Sequence, residues 1–567
     1  MRKLLFIFTF FISFFTFSQN KYPQDYFRQP LDIPILLSGN FGELRGSHFH
    51  TATDIKTQQR QGLPVHAAAD GYISRINIQH YGYGKAIYIQ HPNGYTTVYG
   101  HLQQFAPKIQ EYIKTLEYKK ESYQVETFPS KEMFPVKKGD LIAYSGDTGS
   151  SGGPHVHFEI RDAGQHPMNP LLFGIDVADH QAPTLLGVYG YALTDSAQID
   201  QSNKTQKIHL NKQANGSYVA DKLYADGTIG FGINTFDRQD NTYNKNGAYR
   251  IEMLVNGQLY FKYEFNKLSF AEGKMVNTLI DYEKYIDENE RIQKLFLSPG
   301  NRISTIYDKT VNKGEITIQE GMSYNVEIKI CDFKNNTTTV EIPIEGKKQP
   351  ITSFKDKLVT DYFLKANRDN MYKIGTASIY FPANTFYEDQ YLDLKEDKND
   401  KHTVMVHHKE TAVAKSYNLT FDVSDIPTSE RKQLFIANLS QRGTPSYETT
   451  YKKGINFSTR TSDLGTFTIM KDSVAPKIIP HNFKDQQWVS NLSDLKIKIS
   501  DDLSGIKSYN AYINGKWILT EYEYKDNMLT YDFSDIDFKE SELHLKVVVK
   551  DNVGNTNIYK ATIFRKN

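Results

Sequence analysis

The chain has 567 residues, more than the roughly 250–300 at which one hydrophobic core stops growing, so several domains are expected. Lys and Arg number 67 and Asp and Glu number 66, so the formal net charge of +1 gives no positive field that would attract nucleic acid, and we exclude that class of partner. Its 38 Tyr and 34 Phe residues favour β-rich packing.

Residues 1–18 have the pattern of a secretory signal peptide. Arg2 and Lys3 give a positive start, an apolar run follows to Phe17, and small or polar residues begin at Ser18. The apolar run is shorter than the roughly 20 residues that a membrane-spanning helix needs. We therefore expect an exported protein, in the periplasm or outside the cell, with no transmembrane span.

Residues 19–176 contain the polar motifs that indicate chemistry. His50 and Asp54 have a His-x-x-x-Asp spacing, and His101 stands in a Tyr-x-His-Leu motif. His155 and His157 follow a Gly-rich stretch, and on a strand residues i and i+2 point to the same face. Three protein ligands with one open position is the pattern of a catalytic zinc site.

Other interpretations of single residues stay open at this stage. An isolated His-x-His pair is more often a strand with two polar residues than a metal site. His48 is a rival of His50 as a ligand, although the spacing to Asp54 favours His50. Glu159 shares the face of His157 and would support that ligand from behind, while Arg45 would orient a carboxylate such as Asp54 or form an ordinary surface pair.

These motifs, in this order, resemble those of the lysostaphin-type zinc endopeptidases, the twenty-third metallopeptidase family, across about residues 41–162. The resemblance implies an antiparallel β fold, the duplicated hybrid motif, and one Zn²⁺ per chain. It implies His50, Asp54 and His157 as metal ligands. It also implies that His101 and His155 are catalytic, acting on the water and the oxyanion, and that the substrate is a peptide of bacterial peptidoglycan.

The chain departs from this family in two places. Ala52 stands where the family usually has Gly, which would be strained only if the backbone there had a positive φ. Residues 103–134 form an insertion in which apolar residues recur at helical spacing, predicting a helix over 107–123. The insertion is either a wall or lid of the substrate groove or a surface decoration.

The remainder of the chain is predicted to be β-rich. Asp179 and Asp472 each open a segment in which an alternating strand is followed by an Asp and an Asn-containing turn, at Asp332 and Asp551. We expect immunoglobulin-like β-sandwich modules at 179–348 and 472–567 and a β-rich module at 351–470. These modules would bind an envelope protein or a wall glycan, or act as spacers.

The sequence thus predicts a mainly β, exported zinc metalloendopeptidase that hydrolyses stem or crosslink peptides of peptidoglycan. The alternative is a regulator of other cell-wall hydrolases that has a masked or inactive peptidase domain. Domains of this kind lose zinc ligands, whereas all three ligands and both auxiliary histidines are present here. A purely adhesive β-module protein would leave the His/Asp set without a purpose.

Overall fold

The computed structural model describes residues 21–566, and the signal-peptide prediction lies outside them. Within that range, no helix combines the length and the apolar character needed to cross a bilayer. Strands dominate from one end of the described chain to the other, so the prediction of a mainly β protein is confirmed. The immunoglobulin-like assignment and the proposed domain boundaries stay predictions.

The first third of the chain forms one antiparallel sheet with the order β1-β2-β10-β6-β5-β4-β7, and the remaining strands pair at its margins. Strand β10 lies between β2 and β6, and its residue His157 is opposite Asp54 on one side and Gly100 on the other. Three motifs that are far apart in sequence therefore meet on adjacent strands. The strands are β1 (Leu37–Gly39), β2 (Thr53–Lys56), β3 (Pro64–His66), β4 (Gly71–Ile78), β5 (Lys85–Gln90), β6 (Thr96–Phe105), β7 (Val125–Thr127), β8 (Pro135–Val136), β9 (Leu141–Ser145), β10 (His155–Arg161) and β11 (Pro167–Met168).

Residue alternation along β10 decides which side chains enter the site. Val156, Phe158 and Ile160 pack in the core behind the sheet and are fully buried. The intervening His155, His157 and Glu159 point to the opposite face, as period-two alternation requires. Burial of the apolar set thereby fixes the orientation of the polar set.

The insertion contains the predicted helix, α1 (Pro107–Lys120), which is confirmed but ends three residues earlier than predicted (120 against 123). It begins with Pro at its first position and ends because Glu121 adopts a left-handed conformation with φ 47°. Ile109 and Ile113 anchor the helix in the core of the N-terminal sheet. After it, β7 pairs with β4 and extends the sheet at that edge.

The second module (184–346) is built around one large sheet, with short helices between strands. Its hydrophobic core also includes Phe41, Leu44 and Phe49 from the N-terminal region, so the two regions share a core. Its helices are a 3₁₀ turn at Phe270–Met275, α2 (Val276–Leu279), α3 (Tyr282–Glu288) and a 3₁₀ turn at Val311–Gly314; a further 3₁₀ turn, Pro170–Phe173, precedes the module. Its strands are Thr184–Ala192, Gln198–Ile199, Gln206–Ile208, Leu210–Lys212, Tyr218–Ala220, Leu223–Phe236, Arg250–Val255, Gln258–Glu264, Ile292–Lys294, Tyr307–Thr310, Ile316–Ile318, Ser323–Cys331 and Thr337–Gly346.

The middle module (363–471) and the last module (477–564) each have a separate core between packed sheets. The middle module also contains α4 (Thr428–Arg431). Its strands are Phe363–Leu364, Asn370–Ile374, Ala377–Phe381, Gln390–Tyr391, Leu394–Glu396, Thr403–Val406, Tyr417–Asp422, Leu434–Leu439, Pro445–Glu448, Tyr451–Lys453, Asn456–Thr461 and Gly465–Lys471. The strands of the last module are Lys477–Pro480, Gln487–Trp488, Asp494–Ser500, Ile506–Ile513, Lys516–Ile518, Glu521–Glu523, Met528–Asp532, Glu542–Asp551 and Thr556–Phe564.

Candidate metal centre and its surroundings

The three predicted metal ligands meet in one buried cluster. His50 lies just before β2, Asp54 lies on β2 and His157 lies on β10. The Asp54 carboxylate stands between the two imidazoles, with Oδ2 3.1 Å from His50 Nε2 and Oδ1 3.0 Å from His157 Nδ1. One ligand atom from each residue lies within 4.8 Å of the other two, which is close enough for all three to bind the same ion.

Hydrogen bonds on the far side of each imidazole hold the rings in orientation. His50 Nδ1 is 2.8 Å from the carbonyl oxygen of Asn40, so this nitrogen carries the proton and Nε2 is left with a lone pair towards Asp54. His157 Nε2 is 2.8 Å from Glu159 Oε1, so Glu159 holds the proton on Nε2, and in the neutral ring the lone pair belongs to Nδ1, which faces Asp54. Two imidazoles and one carboxylate held in this way fit the donor set of a catalytic zinc ion.

The charges within the cluster also suit a cation. Burial alone would raise the pKa of Asp54, but His50 and hydrogen bonds from His155 and His157 hold that pKa well below its usual range. Burial would lower the pKa of His157, yet hydrogen bonds to Asp54 and Glu159 raise it to about 9. The pocket therefore stabilises positive charge where the three donors converge.

The two predicted catalytic histidines lie beside this cluster. His155 Nε2 is 3.5 Å from Asp54 Oδ1, and the ring centroids of His155 and His101 are 4.7 Å apart. Backbone carbonyls of one loop fix both rings through Nδ1: Gly153 for His155 and Thr148 for His101, each at 2.8 Å. Burial, then the charges of His157 and His155, lowers the pKa of His101 to about 3, so this ring is neutral.

Glu159 belongs to a polar network that the motifs did not reveal completely. Its Oε1 accepts hydrogen bonds from Tyr83 Oη at 2.6 Å and Thr51 Oγ1 at 2.9 Å, and its Oε2 is 2.5 Å from Arg161 Nε. Burial would raise the pKa of Glu159, but Arg161 and then His157 lower it to about 2. Arg161 could have been found from the i+2 alternation along β10, whereas nothing in the sequence around Tyr83 pointed to this contact.

The residues left open by the sequence take distinct positions. His48 is exposed and lies outside the ligand cluster, although it is only two residues from His50. Arg45 Nη2 lies 3.4 Å from Asp54 Oδ2, and its Nε lies 3.2 Å from Glu43, so it does contact the ligand carboxylate. Ala52 is buried and does not have a positive φ, so its side chain causes no backbone strain.

Comparison with known families gives two matches along the chain. The model of peptidase family M23 matches residues 48–117 and 123–170, a range that includes all five predicted site residues. The gap between the two segments falls at the end of α1, inside the predicted insertion. A Zu5-like domain model matches residues 361–472, which coincides with the middle module.

Individual relatives resemble the same part of the chain. The DD-carboxypeptidase/endopeptidase Mpg of Neisseria meningitidis serogroup B is 35% identical over 138 residues, covering 24% of this chain and 26% of that protein. The peptidoglycan DD-endopeptidase ShyC of Vibrio cholerae is 31% identical over 148 residues, covering 25% and 28%. A crystal structure of a zinc-containing peptidase from Vibrio cholerae is 25% identical and covers 27% of this chain and 41% of that one, with a TM-score of 0.20. The chain thus spans about a quarter of the length of the curated relatives it matches.

Proposed function

Because the chain contains a domain of peptidase family M23, we propose that this protein is a zinc metalloendopeptidase that hydrolyses peptide bonds of bacterial peptidoglycan. The observation that carries the proposal is the convergence of His50, Asp54 and His157 within 4.8 Å, next to two further histidines. A cluster that served only the stability of the fold would have no need of five such side chains so close together.

The proposed ligands would hold one Zn²⁺ through His50 Nε2, an Asp54 oxygen and His157 Nδ1. When bound, zinc supplies Lewis-acid chemistry, which polarises a peptide carbonyl and lowers the pKa of water from 15.7 towards about 7. Asp54 contributes negative charge, and Glu159 keeps the His157 ring in the tautomer that binds through Nδ1.

His101 and His155 would move the protons. Both rings keep Nδ1 against a backbone carbonyl, which leaves Nε2 of each available on the site side. A neutral imidazole there accepts the proton of the attacking water and afterwards donates it to the leaving amine. In its protonated form it stabilises the negative charge that develops on the carbonyl oxygen.

The substrate is inferred from two relatives whose names refer to peptidoglycan or DD-peptidase activity. The proposed location, the periplasm or the cell exterior, rests on the signal-peptide pattern of residues 1–18. The competing proposal, a regulator of other hydrolases with a masked site, retains the same residues and differs only in the absence of turnover.

The decisive experiment incubates the chain without residues 1–18 with crosslinked muropeptides, and mass spectrometry identifies any cleaved bond. Metal content is measured in parallel. We expect one zinc per chain and chelator-sensitive cleavage, with both lost in Asp54→Ala. His155→Ala should retain zinc but lose about 10²–10⁴-fold in rate.

His48→Ala is the matched control, because His48 is near the site in sequence but outside the ligand cluster. It should keep both zinc and activity. One bound zinc with no cleavage of any substrate would favour the regulator. A wild-type chain that binds no zinc would contradict both the metal assignment and the catalytic proposal.

A further inference from the structure

Two clusters of aspartates lie outside the zinc-type site, one in the second module and one in the last. The first aspartate cluster consists of Asp179, Asp237 and Asp332, and the second of Asp472, Asp501 and Asp551. In each cluster, one carboxylate oxygen from each residue lies within 4.8 Å of the other two. The sequence repeat identified two members of each cluster, while Asp237 and Asp501 emerge only from the structure.

The two clusters occupy equivalent positions in the two modules. The first aspartate stands five positions before the first strand of its module (179 and 184; 472 and 477). The second directly follows a strand, at Asp237 after Leu223–Phe236 and at Asp501 after Asp494–Ser500. The third lies at the end of a long strand, after Ser323–Cys331 or as the last residue of Glu542–Asp551. Because all three positions recur, we expect the two aspartate clusters to have the same role.

Most carboxyl groups in these clusters are buried, and they form no ion pairs within residues 21–566. Asp237 is 3% exposed, Asp332 1% and Asp551 fully buried. Among the ion pairs of residues 21–566, none includes any of the six aspartates. Burial, followed by repulsion from Asp179 and Asp332, raises the pKa of Asp237 to about 8. Three ionised carboxylates in such an arrangement are unfavourable unless a proton or a cation offsets their charge.

Unpartnered oxygen atoms at the clusters point to a missing ligand. Asp237 Oδ1 is buried and accepts no hydrogen bond from the part of the chain that is described. The same is true of Gln239 Oε1, on a buried side chain that lines a cavity of about 200 Å³ together with Asp179. Lys334, which also lines this cavity, forms its ion pair with Asp176 instead.

A buried, unpartnered group is also found at the second aspartate cluster. The side chain of Ser504 is fully buried and its Oγ has no hydrogen-bond partner among residues 21–566. Its backbone N–H donates to Asp472 Oδ2 at 3.2 Å, which places the residue at the cluster. Each module thus has at least one buried side-chain oxygen without a hydrogen-bond partner, on a residue that belongs to its aspartate cluster or contacts it.

We propose that each aspartate cluster binds one Ca²⁺ ion. The available donors are carboxylate, amide and hydroxyl oxygens, with no imidazole or thiolate, and this set suits a hard cation and not zinc. Ca²⁺ accepts six to eight oxygens in irregular geometry, whereas Mg²⁺ requires a near-ideal octahedron. Three carboxylates from separate segments match the calcium preference.

The positions of the clusters also suggest what calcium does. Asp179 lies in the segment that enters the second module, and Asp472 lies directly after the final strand of the middle module. In each case the ion would tie the entering segment to two strand ends. Calcium would therefore stiffen the two junctions and leave the chemistry of the zinc-type site unchanged.

The test uses the full mature chain with its zinc retained, dialysed free of calcium. Calcium binding is measured by isothermal titration calorimetry and elemental analysis, and thermal unfolding is followed with and without 1 mM CaCl₂. We expect two Ca²⁺ per chain and a higher Tm with calcium. Asp237→Asn and Asp501→Asn should each bind one Ca²⁺, and the double variant none.

Asp176→Asn and Asp502→Asn are matched controls, because both residues are exposed neighbours of the clusters that form ion pairs with lysines. Both should retain two Ca²⁺. The Asn variants remove charge repulsion, so their calcium-free Tm should equal or exceed that of the calcium-free wild type, which separates loss of binding from misfolding. Absence of calcium binding by the wild type, or two equivalents in the double variant, would overturn the proposal.

Discussion

The N-terminal sheet is held on two sides by two modules, and the two contacts differ in chemistry. On the side of the second module the contact is apolar. Phe41 and Phe49 belong to the core of that module, the ring centroids of Phe49 and Phe265 are 5.9 Å apart, and Gly42 lies directly against the Phe265 ring. These residues immediately precede His50, so the segment that carries the first ligand folds on a core supplied by another module.

On the side of the last module, polar contacts surround a smaller apolar one, in which Leu519 joins the core of the N-terminal sheet and Trp517 packs against it. Lys85 pairs with Glu521 at 2.8 Å, and Tyr118 on α1 donates to Asp535 at 3.1 Å. Lys525 bonds the carbonyl oxygen of Asp147 and pairs with its carboxylate at 3.1 Å. The insertion thus serves as a docking surface for the last module, a role that neither the lid nor the decoration hypothesis described.

The difference suggests separate duties for the two contacts. Burial of apolar surface stabilises by roughly 25 cal/mol per Å² and depends on shape, so the first contact should be essential for folding of the site. The second contact adds ion pairs that are partly buried, such as Lys525–Asp147; ion pairs at the surface contribute only about 0–1 kcal/mol each, and they respond to salt and pH. The second contact should therefore adjust the site without deciding whether it exists.

The largest effect should come from Phe265→Ala in the apolar contact. Removal of a fully buried Phe typically costs 3–5 kcal/mol, and here the cavity would open beneath the His50 segment. We expect a lower Tm for the joint unfolding of the N-terminal sheet and the second module, with weaker zinc binding. Calorimetry and metal analysis measure both.

Phe421→Ala is the control for this cavity, since Phe421 is equally buried but lies in the core of the middle module. It should destabilise that module and leave zinc binding intact. Equal loss of zinc in Phe265→Ala and Phe421→Ala would mean that the core shared with the second module does not stabilise the metal site in particular.

An intermediate effect is expected at Glu117, on α1 beneath the last module. Its side chain is 2% exposed, and burial raises its pKa from 4.5 to about 8. The unfolded chain loses this proton near pH 4.5 and the folded chain near pH 8, so stability falls as pH rises through this window and is constant above it. Glu117→Gln should be about 1–3 kcal/mol more stable than the wild type at pH 9 and nearly equal to it at pH 4.

Denaturant unfolding at several pH values measures this dependence, and Glu111→Gln on the exposed side of the same helix is the control. That control should follow the pH dependence of the wild type. A stability difference between Glu117→Gln and the wild type that did not change with pH would show that the buried carboxyl is not the titrating group.

The smallest effect on stability, within about 1 kcal/mol, is expected from Lys525→Ala. Lys525 contacts the loop whose Thr148 and Gly153 carbonyls orient His101 and His155. Without Lys525 this loop should be more mobile and orient the two histidines less well, so kcat should fall several-fold while KM and zinc content stay unchanged. Lys546→Ala, at an exposed position of the same module, is the control and should leave kcat, KM and zinc content unchanged. A fall in KM alone in Lys525→Ala would rule out a positioning role for Lys525.

The residues of the proposed site could be predicted from the sequence, whereas most of the residues that hold them in place could not. His50, Asp54 and His157 are predicted as ligands from the family resemblance that their short motifs carry, and such motifs are a local property of the sequence. Phe265, Lys525 and Tyr83 reach the site through contacts between distant segments, which no local pattern encodes. The same limit applied to the aspartate clusters, where the repeat indicated Asp332 and Asp551 but not their partners Asp237 and Asp501.

The shared core around Phe265 also has a consequence for the order of synthesis. His50 and Asp54 leave the ribosome long before Phe265, and the segment at Phe41 and Phe49 has no core to fold on until the second module follows. A chain whose translation stopped before that point would contain every proposed ligand and still lack the support of the first one. The apolar contact would thus make the support of the His50 segment depend on synthesis of the second module.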